Sequence, residues 1–246
     1  MILCKWEKLP EKMQTPEVGK YFDILRKKGL SLFFKRMFDI FVSLFMLIIL
    51  SPTFLILAVA IKIDSKGPVF YRQERVTQYG KRFKIHKFRS MRVGADKGSQ
   101  VTVDNDDRIT KVGKFIRKLR LDEISQLIDV FTGNMTFVGT RPEVPKYVDR
   151  YTPEMMATLL LPAGVTSEAS IYFKDEAELL DNSEDVDRTY VEEILPVKMY
   201  YNLKSMERFG FWREIGVMVK TVFAVLGKKY EGDYGKNNDI GKEREE

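Results

Sequence analysis

The chain has 246 residues, 44% of them hydrophobic and 31% charged, with a formal net charge of +6; this length suits one domain of ordinary size, with or without attachments. The basic balance suits anionic partners, whether nucleic acid, phosphorylated substrates or an anionic membrane surface, and does not choose among them. A single cysteine, Cys4, excludes a disulfide framework and a thiolate metal cluster; a single histidine, His86, excludes a multi-histidine zinc site and any Ser-His-Asp triad not built on it.

Residues 1–30 are mixed and charged and read as an N-terminal extension closed by Gly29. "FDILRKKGLSLFFKRMFDI" then interleaves basic with aromatic and aliphatic residues, as at a lipid interface. From Ile40 to Ile61 runs "IFVSLFMLIILSPTFLILAVAI", 22 residues without a charge. It begins too deep in the chain, and is too long, for the apolar core of a secretory signal. Ser51-Pro52 stands at its middle, and proline removes a backbone donor and crowds the preceding turn. Each half spans about 16 Å as helix, about one leaflet of a ~30 Å hydrocarbon core. Ser51 is available to satisfy backbone groups freed at the break. A kinked spanning helix and a re-entrant hairpin both fit. The flanks, Lys35 and Arg36 before and Lys62 and Lys66 after, are both basic, which favours a hairpin entering and leaving by the cytoplasmic face.

Asp64–Phe70 is a turn signal, and "PVFYRQERVTQYGKRFKIHKFRSM" predicts two short strands about a Tyr79-Gly80 turn. Val93–Asp107 reads as a polar loop. Ile109–Phe131 has helical periodicity in Val112, Phe115, Ile116, Leu119, Ile124, Leu127, Ile128 and Phe131. "TGNMTFVGTRPEVP" and "LPAGVTSEAS" read as loops, Pro153–Leu160 as a short helix, and Glu176–Asp187 as an exposed acidic face. Tyr190–Leu226 is largely helical, with Pro196 an early break and Gly210 and Gly216 weakening it. Phe209, Phe211 and Trp212 beside Arg208 and Arg213 suit either a lipid interface or helix packing. The tail from Gly227 has a disordered composition. The expected class is α+β, mainly helical. It divides into an extension (1–30), a membrane hairpin (31–64), a catalytic domain (65–189), an interfacial helical region (190–228) and a flexible tail (229–246).

Three basic patches carry candidate chemistry: Lys84, Lys87, Arg89 and Arg92; Lys114, Arg117, Lys118 and Arg120; and Arg141. Arginine grips phosphate oxygens through a planar fork and lysine as a point charge. Directly behind the second patch stand Asp122 and Glu123. One can attack phosphorus while the other holds a Mg²⁺ ion on a diphosphate. Adjacent side chains diverge by ~100° on a regular helix, so both reach one site only at a helix start or bend. By itself such a pair more often marks a capped, solvated helix end, and a lone His86 a packed or interfacial side chain than a base.

"KRMFDIFVSLFMLIILSP", "GPVFYRQERV", "KFRSM", "RLDEISQLIDVFTGNMTFVGTRPE" and "PAGVT", in that order, resemble the bacterial sugar transferases, the monotopic polyprenyl-phosphate phosphoglycosyl transferases. The resemblance covers roughly Leu30–Lys228. It implies a re-entrant helix-break-helix broken at Ser51-Pro52 on the cytoplasmic face of a bacterial inner membrane. It also implies transfer of a sugar-1-phosphate from a UDP-sugar to polyprenyl (undecaprenyl) phosphate, beginning capsule, exopolysaccharide or glycoconjugate assembly. By the same resemblance Asp122 is the nucleophile of a covalent phospho-sugar intermediate, Glu123 assists with Mg²⁺, and Lys87, Arg89, Arg117 and Arg141 match substrate-binding cations. The expected partners are UDP-sugar, polyprenyl phosphate and membrane lipids, with self-association allowed and no nucleic acid. The chain departs from the family pattern at Thr140 and Ser125, where proline is usual, at Asn134, where an acid is usual, and at Thr77, where glycine is common. The loops after Gly139 and Gly164 are expected to read the sugar. A glycosyltransferase releasing UDP, or a non-enzymatic membrane-anchored adaptor, are the alternative functions.

Overall fold

The computed structural model describes residues 3–94, 108–172, 185–230 and 232. The polar stretch Val93–Asp107, the acidic stretch Glu176–Asp187 and the tail lie for the most part outside these residues. Thr15 and Pro16 start the first helix, α1 (Pro16–Arg26): the Thr15 side chain accepts from Val18 N, and proline suits a first turn that needs no amide donor. Val18, Tyr21, Phe22 and Leu25 of α1 are buried in one cluster with Leu160, Met206 and Phe209.

Helix α2 (Gly29–Ile49) carries a buried polar stripe, Lys35, Asp39 and Ser43, at one-turn spacing. Lys35 Nζ donates to Val138 O and to Glu214, each at 2.7 Å. Asp39 accepts from Thr136 Oγ1 at 2.7 Å and from Phe137 N at 3.2 Å. Arg36 donates to Val130 O and Phe131 O. Phe41, Phe45, Ile48 and Ile49 remain exposed. The helix stops at the expected break: Leu50 links it to α3 (Ser51–Asp64), bent by 60°, with Pro52 in the first turn of α3. Ser51 Oγ donates to Ile48 O at 2.8 Å, so the serine does satisfy a freed carbonyl. Among the described residues no single helix is long and apolar enough to cross a membrane; α2 and α3 reach that threshold only together.

The predicted hairpin forms as β1 (Phe70–Val76) and β2 (Arg82–Phe88), antiparallel from Phe70↔Phe88 to Val76↔Arg82, with Tyr79 at φ 59° in the connection. The helix expected over Ile109–Phe131 is divided. Thr110 caps α4 (Lys111–Lys118), a 3₁₀ turn spans Leu121–Gln126, and α5 (Leu127–Thr132) comes next. Arg120 makes the corner at φ 52°, a left-handed conformation that costs roughly 1–2 kcal/mol for a residue with a Cβ. Packing outweighs it. Ile116 of α4 is buried with Leu57, Ile61 and Phe88, whereas Val130 of α5 is buried with Phe83, Ile85 and Met135. One straight helix does not serve both clusters.

The two stretches read as loops hold strands instead. β3 (Met135–Val138) and β4 (Ala163–Thr166) pair in parallel, Thr136 opposite Gly164. A Cβ on Gly164 would lie 2.1 Å from Gly139 O, so the chain crossing itself requires glycine there. Between these strands come α6 (Pro145–Val148) and a 3₁₀ turn, Met155–Leu160, where a short helix was expected. After α7 (Glu168–Tyr172) and α8 (Val186–Thr189), a π turn over Tyr190–Ile194 leads into α9 (Leu195–Glu207) and then α10 (Phe211–Val225). Pro196 is therefore not a break. It falls in the first turn of α9, and the ladder adjusts ahead of it, Leu195 N bonding Tyr190 O five residues back. The interruption comes at Gly210, extended at φ −177°. The three aromatics there separate: Phe209 is in the core, Phe211 packs on Phe34 and Phe38 of α2, and Trp212 is 81% exposed.

Candidate active site

The corner at Arg120 brings Asp122 and Glu123 into the tight turn that both needed in order to share a site. Ser125 fixes that turn to the hairpin. Its side chain is fully buried, and its hydroxyl lies 3.0 Å from His86 O and 3.2 Å from Asp122 O. Proline at this position has no hydroxyl to make either contact. Asp129 of α5 makes the second attachment, accepting from His86 N at 2.8 Å through Oδ2 and pairing with His86 Nδ1 at 2.8 Å through Oδ1. Arg72 reaches the other ring nitrogen. His86 is thus a packed, bonded side chain. The sequence marks neither Ser125 nor Asp129 as a site residue, because each acts across a long separation on a backbone group that no motif records.

Lys87, on β2, and Arg141, after β3, converge on Glu123. Lys87 Nζ is 3.3 Å from Oε1, and an Arg141 guanidinium nitrogen bonds the same oxygen. Oε2 carries no hydrogen bond among the described residues. Burial by itself raises the Glu123 carboxyl, but Arg141 and then Lys87 outweigh it and hold it at about 2. For Lys87 the balance runs the other way: burial lowers it more than Glu123 raises it. Asp122 has no hydrogen bond from a basic side chain among the described residues. Burial is the largest influence and lifts it above the usual carboxylate range, Lys87 opposes this, and Glu123 adds to it. Arg117, in the last turn of α4, is close enough to oppose the rise.

Arg89 is committed elsewhere. Its buried guanidinium donates to Ser65 O at 2.7 Å and Lys66 O at 2.8 Å, tying the end of α3 to β2. Lys84, Lys114, Lys118 and Arg120 are exposed. The structure therefore gathers Asp122, Glu123, Lys87, Arg117 and Arg141, and does not bring Arg89 to them. Ser51 and Pro52 lie at the break between α2 and α3 described above.

Among the described residues no group of three or more His, Cys, Asp or Glu side chains is arranged to hold a metal ion. Two adjacent carboxylates, one with an uncommitted oxygen, nevertheless match what Mg²⁺ takes from a protein when substrate phosphates and water complete its shell.

A bacterial sugar transferase family profile matches residues 30–228. The chain belongs to the bacterial sugar transferase family. Its similarity to three members is spread over most of its length. A UDP-glucose:undecaprenyl-phosphate glucose-1-phosphate transferase of Klebsiella pneumoniae is 36% identical over 201 residues, 79% of this chain and 40% of that protein. A UDP-N-acetylgalactosamine-undecaprenyl-phosphate N-acetylgalactosaminephosphotransferase of Aeromonas hydrophila is 33% identical over 198 residues, 79% of this chain and 44% of that protein. An undecaprenyl-phosphate galactose phosphotransferase of Salmonella typhimurium is 32% identical over 215 residues, 81% of this chain and 42% of that protein. The chain thus spans less than half the length of these relatives, and their names carry three different sugars.

Proposed function

We propose that the chain transfers a sugar-1-phosphate from a UDP-sugar to polyprenyl phosphate, of the undecaprenyl kind named for its relatives, and releases UMP. The observation that carries this reading is the unequal carboxylate pair. Glu123 is held ionised by Arg141 and Lys87, and Asp122 beside it is buried without a hydrogen-bonded cation. The first carboxylate suits a cation on a diphosphate, the second attack on phosphorus. Asp122 attacks the phosphorus that bears the sugar; a P–O bond to it forms, and the bond to the UMP oxygen breaks. An oxygen of the lipid phosphate then attacks the same phosphorus, the acyl-phosphate bond breaks, and Asp122 returns as carboxylate. Two in-line displacements exchange one phosphoanhydride for another with little cost in bond energy. Lys87, Arg117 and Arg141 pair with phosphate oxygens as charge shifts between them. Glu123 would hold Mg²⁺, which would supply further charge neutralisation.

The lipid acceptor calls for a site at headgroup level. We take α2 and α3 as a re-entrant hairpin in the cytoplasmic leaflet of a bacterial inner membrane. Exposed Phe45, Ile48, Ile56 and Ile63 on the hairpin, Phe115 and Leu119 on α4, and Trp212, Val222 and Leu226 near α10 support this, because soluble proteins rarely leave so many large apolar side chains in water. Membrane lipids are then partners, and the pathway begins with a polyprenyl-diphospho-sugar. The test is product analysis in detergent with Mg²⁺, polyprenyl phosphate and a panel of UDP-sugars. UMP that depends on one sugar is expected and names the donor. UDP would make the protein a glycosyltransferase, for which His86 is a poor base because Arg72 occupies its Nε2 while Asp129 holds its Nδ1. Neither product from folded protein would point to another nucleotide donor or to the adaptor reading.

A further inference from the structure

A second buried polar cluster lies beside the site, on the loop that delivers Arg141. Tyr190 donates its hydroxyl proton to Glu143 Oε1. Lys198 Nζ, on α9, lies 3.2 Å from the same oxygen and 2.8 Å from the Tyr190 hydroxyl. Glu143, Tyr190 and Lys198 are all buried, at 7%, 5% and 7% exposure. The cluster thus removes two opposite charges from water, an arrangement whose desolvation cost often exceeds its attraction, so stability alone does not account for it. The loop backbone is held at the same place from the other side. Val76 N donates to Glu143 O at 2.9 Å, and Arg75 donates to Pro142 O at 3.0 Å. Residues 142 and 143 are therefore gripped by the end of β1 and by the start of α9, and the residue before them bonds Glu123.

The π turn is the second observation. Its five residues begin with Tyr190, and its wider ladder ends on the Leu195 N to Tyr190 O bond just ahead of Pro196. π turns are uncommon and concentrate at functional sites. Here the turn sits where the latch residue does, and Tyr190 stacks on Tyr147 of α6 at 4.5 Å.

We infer that Glu143 is a positioning residue: locked by Tyr190 and Lys198, it holds the loop so that Arg141 meets Glu123 and the donor phosphates. This inference rests on the proposed function for its catalytic meaning, and on geometry alone for the latch itself. It also makes the helical region after residue 190 a part of the site's construction.

The experiment is a double-mutant cycle on the full-length chain, with UMP release as the readout. Misplacing a catalytic group by about 1 Å can cost about 100-fold, so Glu143→Gln is expected to lower kcat/KM about 10- to 100-fold. In an Arg141→Gln background the same change should cost less than about 3-fold, because residues acting through one contact are not additive. Equal loss in both backgrounds, or no loss in the first, overturns the proposal. If Glu143→Gln does not fold, Tyr190→Phe removes one latch hydrogen bond and keeps the ring, and the same cycle is read with it. Hydrogen exchange of the amides from Thr140 to Val144 separates the latch from the chemistry. Faster exchange there, with β2 and the amides of β1 before Val76 unchanged, is expected from either variant, and unchanged exchange overturns the latch. Wild type that releases no UMP from any donor would overturn the proposed function, while the exchange result would still decide the latch.

Discussion

The stripe on α2 and the turn after α4 both withdraw charged side chains from water, and they do it differently. On the stripe, every charge is answered: Asp39 by Thr136 and Phe137 N, Lys35 by Glu214 and Val138 O. In the turn, Glu123 has one oxygen held and the other without a hydrogen bond among the described residues, and Asp122 has no hydrogen-bonded cation there. Satisfied buried charge fixes how elements meet; incompletely satisfied buried charge is a cost that a reaction can use. The same two helices that look like an anchor are thus bonded into the body of the protein, α2 along its stripe and α3 at its end. There Asp64 accepts from Val112 N at 2.8 Å, and Arg89 donates to the Ser65 and Lys66 carbonyls just past it.

The largest effect expected from breaking this contrast is at Asp122. Asp122→Asn removes the nucleophile and should lower UMP release by at least about 1000-fold, the order expected when a group essential to covalent catalysis is lost. The folded protein should be as stable as wild type or more so, since burial already disfavours the charged form. Activity retained would sink the nucleophile assignment; activity and stability lost together would make Asp122 a structural residue like Asp39.

Asp39→Ala is the converse. It leaves the buried Thr136 hydroxyl and the Phe137 amide without acceptors, each a loss of about 1–3 kcal/mol. A drop of about 2–6 kcal/mol in unfolding free energy, read from denaturant midpoints in detergent, is expected. A change under about 0.5 kcal/mol would mean that the stripe does not hold α2 to the body.

The smallest effect is in acid. The folded protein holds Glu123 at about 2, below its ordinary 4.5, so its contribution is complete above pH 4.5 and is lost as pH falls from there toward 2. Asp122 is shifted in the opposite direction and contributes with the opposite sign. The stability difference between wild type and Glu123→Gln, measured without Mg²⁺, should therefore shrink through that window. A difference independent of pH would show that Arg141 and Lys87 do not hold the carboxylate ionised.

Much of the candidate site was legible because it is local. Asp122 and Glu123 are adjacent, the break at Ser51-Pro52 is a property of proline in an apolar run, and the Tyr79-Gly80 turn lies between alternating segments. Where Arg89 sits was not legible, because basic character in a motif does not say which acceptor a guanidinium meets; its acceptors are the Ser65 and Lys66 carbonyls, more than 20 residues away in sequence. β3 and β4 were missed because four residues are too few to display alternation, and a parallel pair has no connecting turn to announce it.

By itself, then, the sequence determined the features that neighbours along the chain impose on one another: the helix break, the antiparallel hairpin, the carboxylate pair and the basic balance around it. Tertiary structure alone decided which charges are answered. It turned Arg120 into a corner, brought Arg141 and Lys87 onto one oxygen of Glu123, sank Asp39 against β3, and locked Glu143 under Tyr190 and Lys198. Each of these depends on groups far apart in sequence whose pairing is stable only once water is excluded between them, and no local pattern records that exclusion.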